Sequence, residues 1–564
     1  MSAVTLAVFA LAWLYFAYRW YGARLDRKLF SPDDARPTPA VSLADGKDYV
    51  ATHPVVLFGH HFSSIAGAGP IVGPILAYSL FGWLPALLWV LLGAVFLGGV
   101  HDYGALMTSV RNRGVSLTEI AERAVSPTAR VLFAAFSWVA LVLVQAVFAV
   151  LTARTLAEKP EIVVPTVGLL VVAMLFGLAV YRLKVSVWLA TLVALGLLAG
   201  LIAAGELFPI HASQRFWLVA AFAYSFVAAT LPVWALLQPR DYLSMYILVV
   251  GMVLGYLGLL ALRPSLNGPP FTTAVSSAGP LWPMLFITVA CGAFSGFHSL
   301  VASGTTAKQL RRETEGRLIA YGGMLAEGAL AVLVILLMAG ALFWGQAPAG
   351  LSGFVFQDLL AGSANIAFGT GFGRAVAALG VPLVYGVAFG ILMLNAFILT
   401  TLDTSTRIAR YILAENLGPR VPLFANRFLA AAVGLAVAWW MASGNAWQAI
   451  WPAFGSANQL VGALALLVTT AALLAQGKPT AYTLWGAGFM LLTTEGALLY
   501  QLFATYLPSG QTGLAATAAL LVFLGLAMAW EAAKRLWHAK HGKKAAVAVS
   551  GAAESQPPAS VSFE

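Results

Sequence analysis

Residues His60-His61-Phe62-Ser63-Ser64-Ile65-Ala66-Gly67-Ala68-Gly69-Pro70-Ile71-Val72-Gly73-Pro74 put two imidazoles, two hydroxyls and a backbone that resists helix into one apolar stretch. Glycine costs a helix interior about 1 kcal/mol and proline about 3, so the chain must unwind here. Unwound backbone at membrane depth is tolerated only inside protein or beside a watery cavity. A helix that restarts after such a break offers free N–H groups and partial positive charge to an anion. Ser63, Ser64, Gly67, Ala68 and Gly69 are therefore candidates to hold a substrate carboxylate. Small residues also allow close helix packing, but packing does not require two prolines.

His60 and His61 can carry a proton near neutral pH or hydrogen-bond carbonyls that the break frees. His101-Asp102 and His298 add further titratable groups in apolar surroundings, and His60, His61, Asp102 and His298 form a candidate proton path. Ser295, Ser299 and Ser303 recur at i, i+4 and i+8, one helical face. Their hydroxyls can ligate a small cation or bond back to their own carbonyls. Glu327 and Glu495 are intramembrane carboxylates, whereas Asp403 precedes Arg407 by four residues and reads as a helix-end ion pair. Arg240 and Asp241 close an apolar stretch as an inner gate or as interfacial anchors. Just before them, Ala229-Thr230-Leu231-Pro232-Val233-Trp234 sets a proline in mid-span, with Thr230 and Trp234 placed to close the substrate pocket. Trp451 to Gln459, with Pro452 near its start, reads as a packing element.

These groups need helices that cross a bilayer. The chain has 564 residues, 60% hydrophobic and 10% charged, with mean hydropathy +0.85. Apolar runs of spanning length recur along it, which makes it an all-α polytopic membrane protein. Fifteen candidate spans follow, the second at 54–80, the third at 84–108, the seventh at 216–236, the ninth at 281–302, the tenth at 319–345 and the eleventh at 374–401. With the N-terminus outside, 27 of the 32 Lys and Arg fall on the cytoplasmic side, so the net charge of +10 reports topology and not nucleic-acid binding. The N-terminus is expected outside and the C-terminus in the cytoplasm.

The second and seventh spans are interrupted and run in opposite directions, the pointer to a five-plus-five inverted-repeat transporter. The expected organisation is an anchor helix and cytoplasmic loop over 1–52, a core over 53–402 with repeats at about 53–206 and 215–402, additional helices over 403–536, and a basic tail over 537–564. The Gly-rich connection at about 345–373 can hold a re-entrant or surface helix. The single cysteine, Cys291, excludes an internal disulfide and a thiol metal site. No P-loop, nucleophile elbow, metalloprotease helix or haem motif occurs, so neither an enzyme nor a cofactor is expected.

The blocks His60 to Pro70, Gly98 to Tyr103, Leu231 to Tyr242, Ser295 to Ser299, Leu402 to Arg407 and Trp451 to Gln459 together resemble the carbon starvation protein A family, to about residue 480. The resemblance implies the amino acid–polyamine–organocation superfamily, the five-plus-five repeat and a bacterial inner membrane. It also implies proton-coupled import of pyruvate or uptake of peptides when carbon is scarce. A small carboxylate and protons, with sodium as the lesser alternative, are the expected partners. A metabolite receptor would need an output domain, and neither the loops nor the tail supplies one.

Overall fold

The computed structural model describes residues 2–46, 48–231, 236–443 and 447–540. The first half runs α1 (Ala3–Phe30), α2 (Pro54–Ile65), α3 (Gly69–Phe81), α4 (Trp83–Arg111), α5 (Leu117–Ala124), α6 (Pro127–Glu158), α7 (Pro160–Val180), α8 (Val187–Leu207), α9 (Gln214–Thr230) and α10 (Leu237–Leu262). The second half runs α11 (Leu281–Val289), α12 (Gly296–Gly304), α13 (Glu313–Ala341), α14 (Phe356–Gly362), α15 (Ala364–Ala377), α16 (Leu383–Leu417), α17 (Arg427–Ser443), α18 (Trp447–Ala475), α19 (Ala481–Tyr500) and α20 (Thr512–Lys540). Among the described residues, 11 helices are long and apolar enough to cross a membrane, or 12 with the bent pair α2/α3 as one span. The other expected spans fold as α9, α17 and α19.

The break in the second span forms where the glycines and prolines require it. Pro54 opens α2 at a position where a missing N–H costs nothing. Ala66 leaves the helix with φ −74° and ψ 73°, and α3 restarts at Gly69-Pro70 with a 44° bend. The expected interruption at 229–234 falls differently: α9 ends at Thr230 with Leu231 extended, and the next helix begins at Leu237, so it separates two helices. Trp234 and the tail beyond Lys540 lie outside the described residues.

A second broken helix occurs where none was expected, in the ninth span. Ala290 takes φ +48°, a 3-10 turn covers Ala290–Gly292, and Ser295 is extended before α12. This break crosses the first at contact distance. A Cβ on Gly69 would lie 2.5 Å from Cys291 Sγ, one on Gly73 2.3 Å from the Val289 carbonyl, and one on Gly292 3.3 Å from Pro70 Cα. Only glycine permits that approach.

Around the crossing, α6 and α16 pack side by side, with α9 and α17 against both. α18 braces α12, α4 and α6, and α13 backs α3 and α4 from a largely buried position. α7 and α8 form a hairpin whose outer faces are apolar and exposed. α14 and α15 occupy the 345–373 connection, as a helical pair against α16 and α10. The 30–52 loop is pinned across the 305–315 turn. Val50 and Thr52 donate to Lys308 and Gln309, and Arg111 and Arg36 both reach Glu313, which is buried.

Candidate functional site

At the first break the Ser63 hydroxyl donates to the His60 carbonyl at 3.2 Å, and Ser63 and Ser64 are buried. Gly67 faces the unpartnered Thr401 hydroxyl of α16: a Cβ there would sit 2.7 Å from Thr401 Oγ1 and 3.5 Å from the Phe148 ring. Gly69 faces Cys291, so its role is the helix crossing. The first N–H groups of α3, around Ala68 and Gly69, are the orphan donors of a helix start. A cavity of about 340 Å³ opens between α3, α11, α18 and the 501–511 turn, lined by Leu76, Leu80, Thr288, Trp451, Gln501 and Gln511. It reaches Thr288, whose carbonyl adjoins Gly73.

Beside the crossing, four ionisable side chains from three helices form one buried chain. Asp102 of α4 has its two carboxylate oxygens 2.7 Å from His101 Nδ1 and 2.8 Å from His298 Nδ1. His298 Nε2 lies 3.1 Å from Glu327 Oε2, and none of these side chains reaches solvent. The sequence reading joined Asp102 to His298 but left Glu327 out of the path, because a lone glutamate in a span carries no spacing signal. His61 stands next to the cluster: Nδ1 is 2.9 Å from Thr306 Oγ1, and its ring packs on Gly323, one turn before Glu327. The structure therefore gathers His61, Asp102 and His298, and adds Glu327.

Cys291 Sγ, His298 and Glu327 also lie within 4.8 Å of one another. Cys291 Sγ already accepts from Asn458 Nδ2 at 3.3 Å, and a thiol must lose its proton to bind metal. The His298 ring is held on its Nδ1 side by Asp102, while Nε2 stands 3.1 Å from Glu327 Oε2 without a hydrogen bond.

The serine ladder is corrected. Ser295 stands in extended backbone outside α12, so the three serines share no helical face. Its hydroxyl pairs with Asn458, while Ser299 and Ser303 donate to the carbonyls of Gly296 and Ser299. Back-bonding satisfies them within the helix. Asn458 Oδ1 also accepts from Phe297 N at 2.9 Å, so the Trp451 to Gln459 block clamps the second break. Thr230 likewise donates into its own helix, to Phe226 and Val227, and among the described residues no hydrogen bond places it at the pocket.

A second buried charged cluster joins residues far apart in the sequence, where a local Asp403–Arg407 pair is expected. Asp403 lies inside the 35-residue α16 and pairs with Arg240, not Arg407. Arg240 and Asp241 belong to the first turns of α10, and both are buried. Arg240 also donates to Asp241 Oδ1 at 2.8 Å and to the Tyr224 hydroxyl at 2.6 Å, and Tyr224 donates to Asp403 Oδ2 at 2.8 Å. His60 Nδ1 lies 3.7 Å from Asp241 Oδ2, which ties α2 to this cluster. Arg407 instead donates to the Ala228 and Leu231 carbonyls and closes the end of α9.

Known proteins share this chain's sequence along most of its length. It is 32% identical over 595 residues to the pyruvate/proton symporter BtsT of Escherichia coli (strain K12), covering 90% of this chain and 82% of that protein. It is 33% identical to the peptide transporter CstA of the same organism, covering 83% and 76%, and 35% identical to the peptide transporter CstA of Bacillus subtilis (strain 168), covering 83% and 85%. The family model of the carbon starvation protein CstA matches residues 2–353 and 356–497, so the chain belongs to that family of membrane proteins.

Proposed function

We propose that this protein is a secondary transporter that imports a small monocarboxylate, pyruvate first, with protons. The observation that carries the reading is the crossing of two broken helices beside a sealed Asp102–His298–Glu327 chain. Broken helices bring orphan N–H groups to an anion, and buried ionisable groups alongside can couple its passage to a proton. The name of one relative, a pyruvate/proton symporter, agrees with both halves.

In this reading the carboxylate sits at Ser63, Ser64, Gly67 and Ala68, facing Thr401, and the cavity above Thr288 is its approach. The Arg240–Asp241–Asp403 cluster is the inner gate, on the side where the charge bias puts the cytoplasm. The place of the breaks supports an inverted repeat with a changed partition. The ninth span mates with the second, α6 pairs with α16, α9 with α17 and α10 with α18, and the α7/α8 hairpin is an insertion in the first repeat.

Relatives named as peptide transporters support a second substrate reading. Close packing at Gly67 by Thr401 and Phe148 favours the smaller substrate. The test is uptake of radiolabelled pyruvate into proteoliposomes with an acid-outside gradient, with di-alanine as competitor. Accumulation that excess unlabelled pyruvate blocks and di-alanine leaves unchanged supports this reading. Block by di-alanine assigns peptides, and accumulation that follows sodium instead of protons contradicts proton coupling.

A further inference from the structure

Donor and acceptor arithmetic in the buried chain locates a proton. Ionised carboxylates only accept hydrogen bonds, and a neutral imidazole has one donor and one acceptor nitrogen. His101 and His298 both turn Nδ1 to Asp102, at 2.7 and 2.8 Å. An ionised Asp102 satisfies both contacts when both Nδ1 atoms carry hydrogen, the assignment that donor matching gives. A neutral His298 then has its Nε2 lone pair 3.1 Å from Glu327 Oε2, in contact but not aligned as a hydrogen bond, and a protonated Glu327 avoids setting that lone pair against an anion. The alternative moves the same proton to Nε2 and leaves Glu327 ionised. Either way this pair of side chains holds one proton.

The surroundings forbid its simple absence. Asp102 and Glu327 are fully buried, and among the described residues their only ion-pair partners are His101 and His298. Without the shared proton, two negative charges would stand in a dry core with no fixed cation. The other groups facing the cluster include the Ile65 carbonyl, which accepts from His298, Cys291 from the second break, His61 from α2 and Asn458 from α18, and none of these carries a permanent charge. His61 packs on Gly323, one turn from Glu327 on the same helix, and is placed to pass the proton on.

We propose that Glu327 Oε2 and His298 Nε2 together hold the single coupled proton, and that Asp102, fixed by His101, is the permanent counter-charge. The step is a proton transfer alone: the O–H bond of Glu327 breaks as the N–H bond on His298 forms, and the reverse. This inference rests on the proton-coupled reading above and assigns the coupling to Glu327, which no spacing in the sequence marks.

Two measurements on full-length protein in liposomes test it: pH-difference infrared spectroscopy, and pyruvate accumulation against counterflow exchange, for wild type, Glu327→Gln, Glu327→Asp and Glu495→Gln. The wild type is expected to show a protonated-carboxyl band that Glu327→Gln lacks and Glu495→Gln keeps. Glu327→Gln should lose accumulation under a pH gradient yet still exchange substrate, and Glu327→Asp should recover part of the accumulation. A Glu327→Gln spectrum identical to the wild type, or wild-type accumulation by that variant, overturns the proposal. So does accumulation that chelators abolish and a divalent cation restores. If the wild type fails to accumulate pyruvate at all, the substrate reading fails while the infrared band still decides this one.

Discussion

Gly67→Leu is expected to remove substrate uptake while the protein still inserts and purifies as the wild type does. A Cβ at this position would already lie 2.7 Å from Thr401 Oγ1, so a leucine must fill the space between the break and α16. Overpacking of this kind typically costs about 1–3 kcal/mol, too little to unfold a bundle of this size but enough to displace the backbone that meets the ligand. Gly67→Ala should give a partial loss, and Thr401→Ala in the same chain should relieve it, because the clashing hydroxyl is then gone. Purified Gly67→Leu protein with near-normal uptake would remove residues 63–69 from the site.

Asp403→Asn is expected to produce the largest loss of stability among single substitutions in the charged clusters. Arg240 and Asp403 have side chains at 0% exposure, and the Asn would leave the guanidinium with Asp241 alone. Removing one partner of a buried pair costs about 3–5 kcal/mol, because the other charge stays buried. The thermal unfolding midpoint in detergent should fall sharply, and Arg240→Met with Asp241→Asn and Asp403→Leu should recover much of it, since no buried charge is then left uncompensated. Equal losses in the single and triple variants would show that the cluster acts through something other than burial. Arg407→Gln should lower the midpoint less, since Arg407 bonds only carbonyls at the end of α9.

Local chemistry was legible and long-range chemistry was not. The break at 60–74 could be read because three glycines and two prolines raise a cost that no neighbour removes. The break at 290–295 has one glycine and no proline in Ala290-Cys291-Gly292-Ala293-Phe294-Ser295, so its sequence looks helical. The left-handed Ala290 sits where the first break, Gly69 and Pro70, packs against it, a contact over 200 residues away in sequence. Under the repeat proposed above, the second span has the ninth as its mate and not the seventh. Serines at i, i+4 and i+8 imply a shared face only if the helix is continuous, and Ser295 lies before it starts. Asp403 and Arg407 have the spacing of a helical pair, but Arg240 offers a fully buried guanidinium 163 residues away, and the lower-dielectric contact prevails. His298 and Asp102 were singled out by type alone; that one imidazole bridges two carboxylates is visible only in three dimensions.

Proton movement on addition of pyruvate tests the account most directly. Proteoliposomes holding a trapped pH dye, with no imposed gradient and no sodium, should acidify inside when pyruvate is added outside, and lactate at the same concentration should compete. Acidification should vanish in Glu327→Gln and persist in Glu495→Gln. Pyruvate entry, followed by radiolabel in the same vesicles, without any acidification beyond protein-free controls would contradict proton-coupled import by this protein.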